Sequence, residues 1–348
     1  MSDRPLSKRL TRRRLLAAVP AVGLGATALH AGVPHTHGTA VAAAGDEHAG
    51  HGPATGHAAF RGGEVDHRAN GFDPHEILRD FDTGKTSRMA DGRTLREWTL
   101  IASEHEIEIA PGVRFTAWSY NGRIPGPTLR ATEGDRLRIT FINGGRHPHT
   151  IHFHGIHPAT MDGVAGSGDG EIAGGGRTVY EFDAAPYGLQ LYHCHVRPLA
   201  EHIAKGLYGT LIIDPKKPRE RADELVMVMN GFDTNFDRAN ELYAANTIGF
   251  AYSDKPIRVE RNELVRLYLV NVLEYDLINS FHLHGNFFEY FPTGTSKRPS
   301  ELTDTVMLCQ GQRGILEMRF PHSGRFMFHA HQSEFTELGW MGFFEVVD

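Results

Sequence analysis

Glu133-Gly-Asp-Arg-Leu-Arg-Ile-Thr-Phe-Ile-Asn143 lines up with Arg261-Asn-Glu-Leu-Val-Arg-Leu-Tyr-Leu-Val-Asn271, and the correspondence continues outward from both. Both alternate apolar and polar residues, the period-two pattern of a strand with one buried face. His152-Phe-His154-Gly155 follows the first copy and His282-Leu-His284-Gly285 the second. Arg177 then precedes His193 by sixteen residues and Arg313 precedes His329 by sixteen, with Gly188 and Gly324 at one shared offset. Each unit closes on a Gly-led strand, Gly209 to Asp214 and Gly342 to Asp348. One unit written twice predicts two tandem β-sandwich domains, residues 91–215 and 223–348, joined by the charged linker 216–222. Short alternating runs broken by Gly, Pro and Asn make the chain all-β from about residue 91. The sole helix-like stretch, Pro198 to Lys205, falls in a loop position.

The 348 residues, 40% hydrophobic and 22% charged, suffice for two cores. A formal net charge of -6 argues against a nucleic-acid partner, which requires a basic surface. No apolar run reaches the length of about twenty residues needed for a membrane-spanning helix. Two Cys cannot build a disulfide scaffold. Residues 1–31 place Arg4, Lys8, Arg9, Arg12, Arg13 and Arg14 before the apolar stretch Leu15 to Leu29, the layout of an export signal. Thr11-Arg12-Arg13-Arg14-Leu15-Leu16 resembles the twin-arginine motif, which marks export of folded proteins. A periplasmic, cell-surface or extracellular location is therefore expected. Folding before export accounts for the missing disulfides and for early cofactor insertion. Ala26-Thr27-Ala28 and Ala40-Val41-Ala42 are both candidate cleavage sites. Residues 32–90 read as a His/Gly/Ala-rich linker and N-terminal extension, and 32–75, with His67 and His75, show no periodicity and read as disordered.

Of 22 His, eight form four His-x-His pairs: His152/His154, His193/His195, His282/His284 and His329/His331. Residues i and i+2 of a strand share a face, so each pair presents two imidazoles side by side. One such pair reads as readily as two core histidines with hydrogen-bond partners; four at matching offsets in two repeats do not. Imidazole suits copper, zinc and iron. Eight exceed the needs of one tetrahedral ion, so a cluster of metals is expected. In His193-Cys194-His195 the same period sends Cys194 to the face opposite the flanking rings. A thiolate on one side and two imidazoles on the other would join two metal sites through a few covalent bonds, as an electron relay requires. His149 and His202 stand near, and two His with one Cys are the trigonal set of a blue-copper centre. Cys309 reads as a buried apolar thiol.

Over about residues 91–348 these motifs resemble those of the multicopper oxidases, in particular the two-domain, laccase-like branch. The likeness is carried by His149-Thr-Ile-His152-Phe-His154-Gly155, by His193-Cys194-His195 with His202 and Gly206-Leu207, and by Asn121-Gly-Arg-Ile-Pro-Gly-Pro-Thr128. It implies tandem cupredoxin-like Greek-key sandwiches and four coppers per chain. By that likeness His149, Cys194 and His202 bind a type-1 copper, with Leu207 at the axial position, where many members have Met; a non-coordinating Leu raises the potential. His152 and His282 would hold a type-2 copper. His154, His193, His195, His284, His329 and His331 would hold the type-3 pair. The resemblance also implies one-electron oxidation of a donor coupled to four-electron reduction of O2 to water. It further implies a homotrimer in which the first domain of one subunit meets the second domain of a neighbour, although the sequence equally allows pairing within one chain.

Aligned on the shared histidines, the type-1 ligands become Asn279, Ala330 and Phe335 in the second unit, so one blue copper per chain is expected. Two acids are candidates for delivering protons. Asp162, in Thr160-Met161-Asp162-Gly163, resembles the family's acid near the cluster and reads equally as a turn residue; Glu334 stands three residues after His331. Copper nitrite reductase is the first rival, but that family has one His beside its Cys and an isolated three-His copper. A non-enzymatic copper carrier is the second, and it leaves His193-Cys194-His195 unexplained. The donor stays open among phenols, aromatic amines and the ions Cu(I), Fe(II) and Mn(II).

Overall fold

Along Arg136–Asn143 burial alternates residue by residue, turning Leu137, Ile139 and Phe141 into one core. The computed structural model describes residues 63–348; the expected export signal 1–31 and residues 32–62 lie outside the described residues. Arg136–Asn143 runs parallel to Thr94–Ala110 and antiparallel to Arg177–Asp183. Lys85–Arg88 and Val113–Tyr120 pair with Thr94–Ala110 to complete the sheet. A second sheet runs in the order Phe81–Asp82, Thr128–Thr132, Tyr208–Asp214, Gly188–His193, His152–Phe153. Trp98 and Phe141 from the first sheet meet Phe153, Tyr192 and Leu211 from the second.

The second copy of the repeat, Val265–Asn271, is buried along its whole length. Its Val265, Leu267 and Leu269 enter the second domain's own core. Tyr268 and Val270, on the other face, enter a cluster that includes Phe115, Leu189, Tyr208 and Ile212 of the first domain. Full burial of such a side chain is worth roughly 1.5–3 kcal/mol, so this shared layer fixes one domain on the other. Polar contacts cross it too: the Leu189 amide donates to the Thr293 carbonyl at 2.8 Å, and Thr247 Oγ1 donates to the Ile124 carbonyl at 2.6 Å. The second domain's sheets hold Val265–Asn271 between Asp223–Phe232 and Arg313–Met318, and Gly324–His329 between Ile278–Leu283 and Met341–Val347. Two tandem β-sandwiches are thus present, as expected. In both, the histidine strands pair at equivalent register, His152 with His193 and His282 with His329.

Four expectations need correction. Residues 65–75 are not a disordered segment. His67–Asn70 and Pro74–Ile77 are short helices capped by Asp66 and Asp73, and Phe81–Asp82 pairs in parallel with Thr128–Leu129. Phe72 and Ile77 enter the interdomain cluster and Leu78 the second domain's core, so apolar burial offsets the ordering entropy that low periodicity appeared to leave unmatched. The first sandwich accordingly begins near residue 81, ten residues before the expected boundary. Helix also occurs outside 198–205: the expected turn forms as Leu199–Ala204, and Ser333–Glu337 forms its counterpart in the second domain. Cys309 is exposed rather than buried.

Candidate metal centres

His149 sits just ahead of the strand His152–Phe153, Cys194 just past Gly188–His193, and His202 on the helix Leu199–Ala204. The fold closes these three separate segments on one point. His202 Nδ1 lies 3.2 Å from His149 Nδ1 and 3.2 Å from Cys194 Sγ, and His149 Nδ1 lies 3.9 Å from Cys194 Sγ. All three are buried, and burial lowers both imidazoles to about 4 and raises the thiol. The rings are therefore neutral, with lone pairs free for a cation. Trp118 meets His149 and His202 edge-on at 5.2 and 4.8 Å. Leu207 is fully buried in the same core, and its carbonyl accepts from the Cys194 amide at 2.9 Å. Of the three donors only His202 borders a surface depression of about 480 Å³, which His147, Trp118 and Lys205 also line.

Cys194 turns into the first domain's core while His193 and His195 turn the other way, as period two requires. There His152, His154, His193 and His195 form a ring of imidazoles, with neighbouring centroids 5.2–5.9 Å apart. His154 Nε2 and His193 Nε2 face each other at 3.2 Å, and burial lowers these groups to about 3 and about 4. Their other nitrogens are held from behind. His193 Nδ1 donates to the Cys194 carbonyl at 2.9 Å, and His152 Nδ1 to the Asp162 carbonyl at 2.8 Å. The Asp162 carboxylate lies 3.0 Å from His152 Nδ1 and 3.8 Å from His157 Nε2. Such partners fix the tautomer and leave Nε2 facing the cluster. Asp162 is thus brought to the site.

The second domain repeats the ring. His282, His284, His329 and His331 stand with centroids 4.9–6.0 Å apart, and His284 Nε2 faces His329 Nε2 at 2.9 Å. His282 Nδ1 donates to the Asp304 carbonyl at 3.0 Å and lies 2.8 Å from Thr305 Oγ1, with the Asp304 carboxylate 4.0 Å away. Thr150 Oγ1 accepts from the His195 amide at 3.0 Å, and its counterpart Ser280 Oγ from the His331 amide at 2.7 Å.

Asp304 is a residue that sequence reasoning missed. It lies twenty-two residues after His282, whereas Asp162 lies ten after His152, so the repeat could not reveal it. Glu334 requires a correction. It occupies the exposed first turn of Ser333–Glu337, at the register of Glu201; its field acts on Tyr243, and no hydrogen bond or ion pair joins its carboxylate to the four histidines. Counting along the chain put it close; the helix turns it away from the ring.

Where the first domain has His149, Cys194 and His202, the second has Asn279, Ala330 and Phe335, all buried. The Tyr243 amide donates to the Leu338 carbonyl at 3.0 Å as the Trp118 amide does to Lys205 at 2.9 Å, which makes Tyr243 the counterpart of Trp118. Tyr243 stacks on Phe335 with ring centres 3.9 Å apart. Trp340, at the register of Leu207, is buried and donates through Nε1 to the Ser280 carbonyl at 3.1 Å. Phe335, stacked on Tyr243, thus stands in the place of His202.

The donor chemistry fits copper: a buried thiol with two neutral imidazoles, and two rings of imidazoles in each of which two Nε2 atoms face each other. Among the described residues, each close group of these donors lies within one domain, and none combines histidines from both. His284 and His331 are exposed.

Two family descriptions, each of a multicopper oxidase, match the chain over residues 102–218 and 220–348. A crystal structure of a multicopper oxidase superposes with a TM-score of 0.81 at 62% identity, covering 82% of this chain and 100% of that one. The blue copper oxidase of Nitrosomonas europaea superposes with a TM-score of 0.65 at 28% identity, covering 72% of this chain and 86% of that one. The copper-containing nitrite reductase of Neisseria meningitidis serogroup A is 28% identical over 249 residues, which span 66% of this chain and 63% of that protein's length.

Proposed function

The chain belongs to the multicopper oxidase family, and from that premise we propose that it oxidises a small donor one electron at a time and passes four electrons to dioxygen, giving water. The observation that carries this reading is the tripeptide His193-Cys194-His195, whose backbone bonds join the sulfur of one donor set to two imidazoles of another. Copper, when bound, supplies one-electron chemistry at the first set and reduction of dioxygen at the second.

The protein's residues set the conditions for both. His149, Cys194 and His202 would hold a type-1 ion in a buried pocket, in the same core as Leu207, a hydrocarbon that cannot ligate. His202 borders the depression, where a donor could approach the bound ion. His152 and His282 would take the type-2 position, the other six cluster histidines the type-3 pair. Asp162, one-third exposed, orients His152 through Nδ1 and stands where protons from solvent can be handed inward. Asp304 does the same for His282.

Each ring of four imidazoles offers half of such a cluster. Ile156 and Phe287, two and three residues beyond His154 and His284, are apolar and more than half exposed at 69% and 55%. Exposed apolar surface beside exposed ligands supports closure between subunits, as a homotrimer, rather than within one chain. Nitrite reduction is the second reading, favoured by the similarity to a copper nitrite reductase. Both neighbours of Cys194 being His, and the second complete ring, weigh for dioxygen. The test follows oxygen and nitrite separately in the copper-loaded oligomer with an artificial electron donor. One O2 consumed for four donor equivalents, with nitrite untouched, is expected. Nitrite loss without oxygen uptake would overturn the proposal.

A further inference from the structure

Phe236 exposes 60% of its surface and holds a left-handed backbone, φ 64°, a conformation that costs a residue bearing a side chain. Its loop, between Asp223–Phe232 and Leu242–Ala245, is nonetheless pinned. Asp233, buried, accepts from the amides of Asp237 at 3.1 Å and Arg238 at 2.8 Å. Glu241 accepts from the amide and hydroxyl of Thr234 at 2.6 and 2.8 Å and from Asn235 Nδ2 at 2.7 Å. Fixed hydrogen bonds thus hold an aromatic ring out to solvent instead of letting it fold onto apolar surface.

One face of that ring is already used. Lys205 Nζ lies 4.3 Å from its centroid, with Trp118 at 5.3 Å and Phe115 at 6.0 Å completing an aromatic cage. Lys205 is only 9% exposed, so the cation is desolvated and its attraction to the rings is strong. A cation on one face draws π density toward itself, which leaves the opposite face a better offset-stacking partner for an electron-rich ring. Lys205 and Trp118 also line the depression that His202 borders, and Trp118 meets His202 at 4.8 Å. A ring from the second domain therefore stands at the rim of the donor groove built by the first.

We propose that Phe236 determines specificity for the donor: its free face stacks the ring of an electron-rich aromatic donor beside His202. The inference rests on the proposed oxidation of a donor at His202 and deepens it by naming a residue that selects that donor.

Phe236→Ala, Phe236→Leu and Phe236→Trp are compared with the unsubstituted, copper-loaded enzyme in steady-state kinetics. The donors are p-phenylenediamine and ferrocyanide, the latter having no ring to stack. Phe236→Ala and Phe236→Leu are expected to raise KM for p-phenylenediamine about three- to tenfold, the range of one stacked aromatic pair. Its kcat, the ferrocyanide KM, the visible absorption and the oligomer mass should stay unchanged, and Phe236→Trp should restore the low KM. Equal losses for both donors, or no loss, overturn the proposal; so does a changed oligomer mass, which makes Phe236 a subunit contact. If the unsubstituted enzyme oxidises neither donor, the proposed function fails as well.

Discussion

Four imidazoles in the first domain, those of His149, His154, His193 and His202, are held neutral by burial, lowered to between about 3 and about 4 from 6.5. In the unfolded chain the same rings take up a proton near pH 6.5. Below that pH the unfolded state of the metal-free protein binds more protons than the folded state, so stability falls as pH drops toward 4 and is level above 7. The limiting slope is about 1.4 kcal/mol per pH unit for each such ring. Denaturant midpoints of metal-free protein across pH 4–8 measure this, and a flat profile would contradict buried neutral rings. The ligands were legible in sequence because a period of two on a strand puts alternate side chains on one face. Of their supports only Asp162 was. Asp304 reaches His282 through the sheet pairing of Ile278–Leu283 with Thr305–Cys309, a tertiary fact with no fixed offset, and Glu334 was misplaced because distance along the chain says nothing about which way a helix turns.

Strands announced themselves through the repeat, whereas the segment 65–82 did not. Its helices are four residues each, too short to display a period, and its apolar residues are shared among different cores. It nevertheless ties the two domains together. Asn70 Nδ2 donates to the Glu108 carbonyl at 2.8 Å on the first domain, while Tyr252 OH donates to the Pro74 carbonyl at 2.8 Å and Arg79 pairs with Asp223 at 2.8 Å on the second. Leu78, fully buried in the second domain's core, is the strongest anchor. Leu78→Ala is expected to cost about 2–5 kcal/mol, the transfer term plus the cavity left behind. Urea unfolding of the full chain gives the number; a loss under about 0.5 kcal/mol would show that the segment lies on the fold without supporting it. The ion pair alone, half exposed, contributes little.

At the scale of the molecule the two copies of the unit have diverged at the thiol set: the first keeps His149, Cys194 and His202 where the second has Asn279, Ala330 and Phe335. The thiol set is therefore complete inside a single domain. Each imidazole ring, by contrast, is complete as a ring and offers half of the proposed cluster. This asymmetry separates two properties that a single substitution can tell apart. Phe287 stands three residues from the exposed His284, on the surface proposed to meet a neighbouring subunit, and a carboxylate there would be buried without a partner on association, at a cost of several kcal/mol. If the proposed trimer forms, Phe287→Asp is expected to convert it to monomers in sedimentation and to lower oxygen consumption at least a hundredfold. It should leave intact the intense visible absorption of the thiol centre, which Cys194→Ser should abolish. A Phe287→Asp monomer that still consumes oxygen at the original rate would place the whole cluster within one chain and refute the shared site.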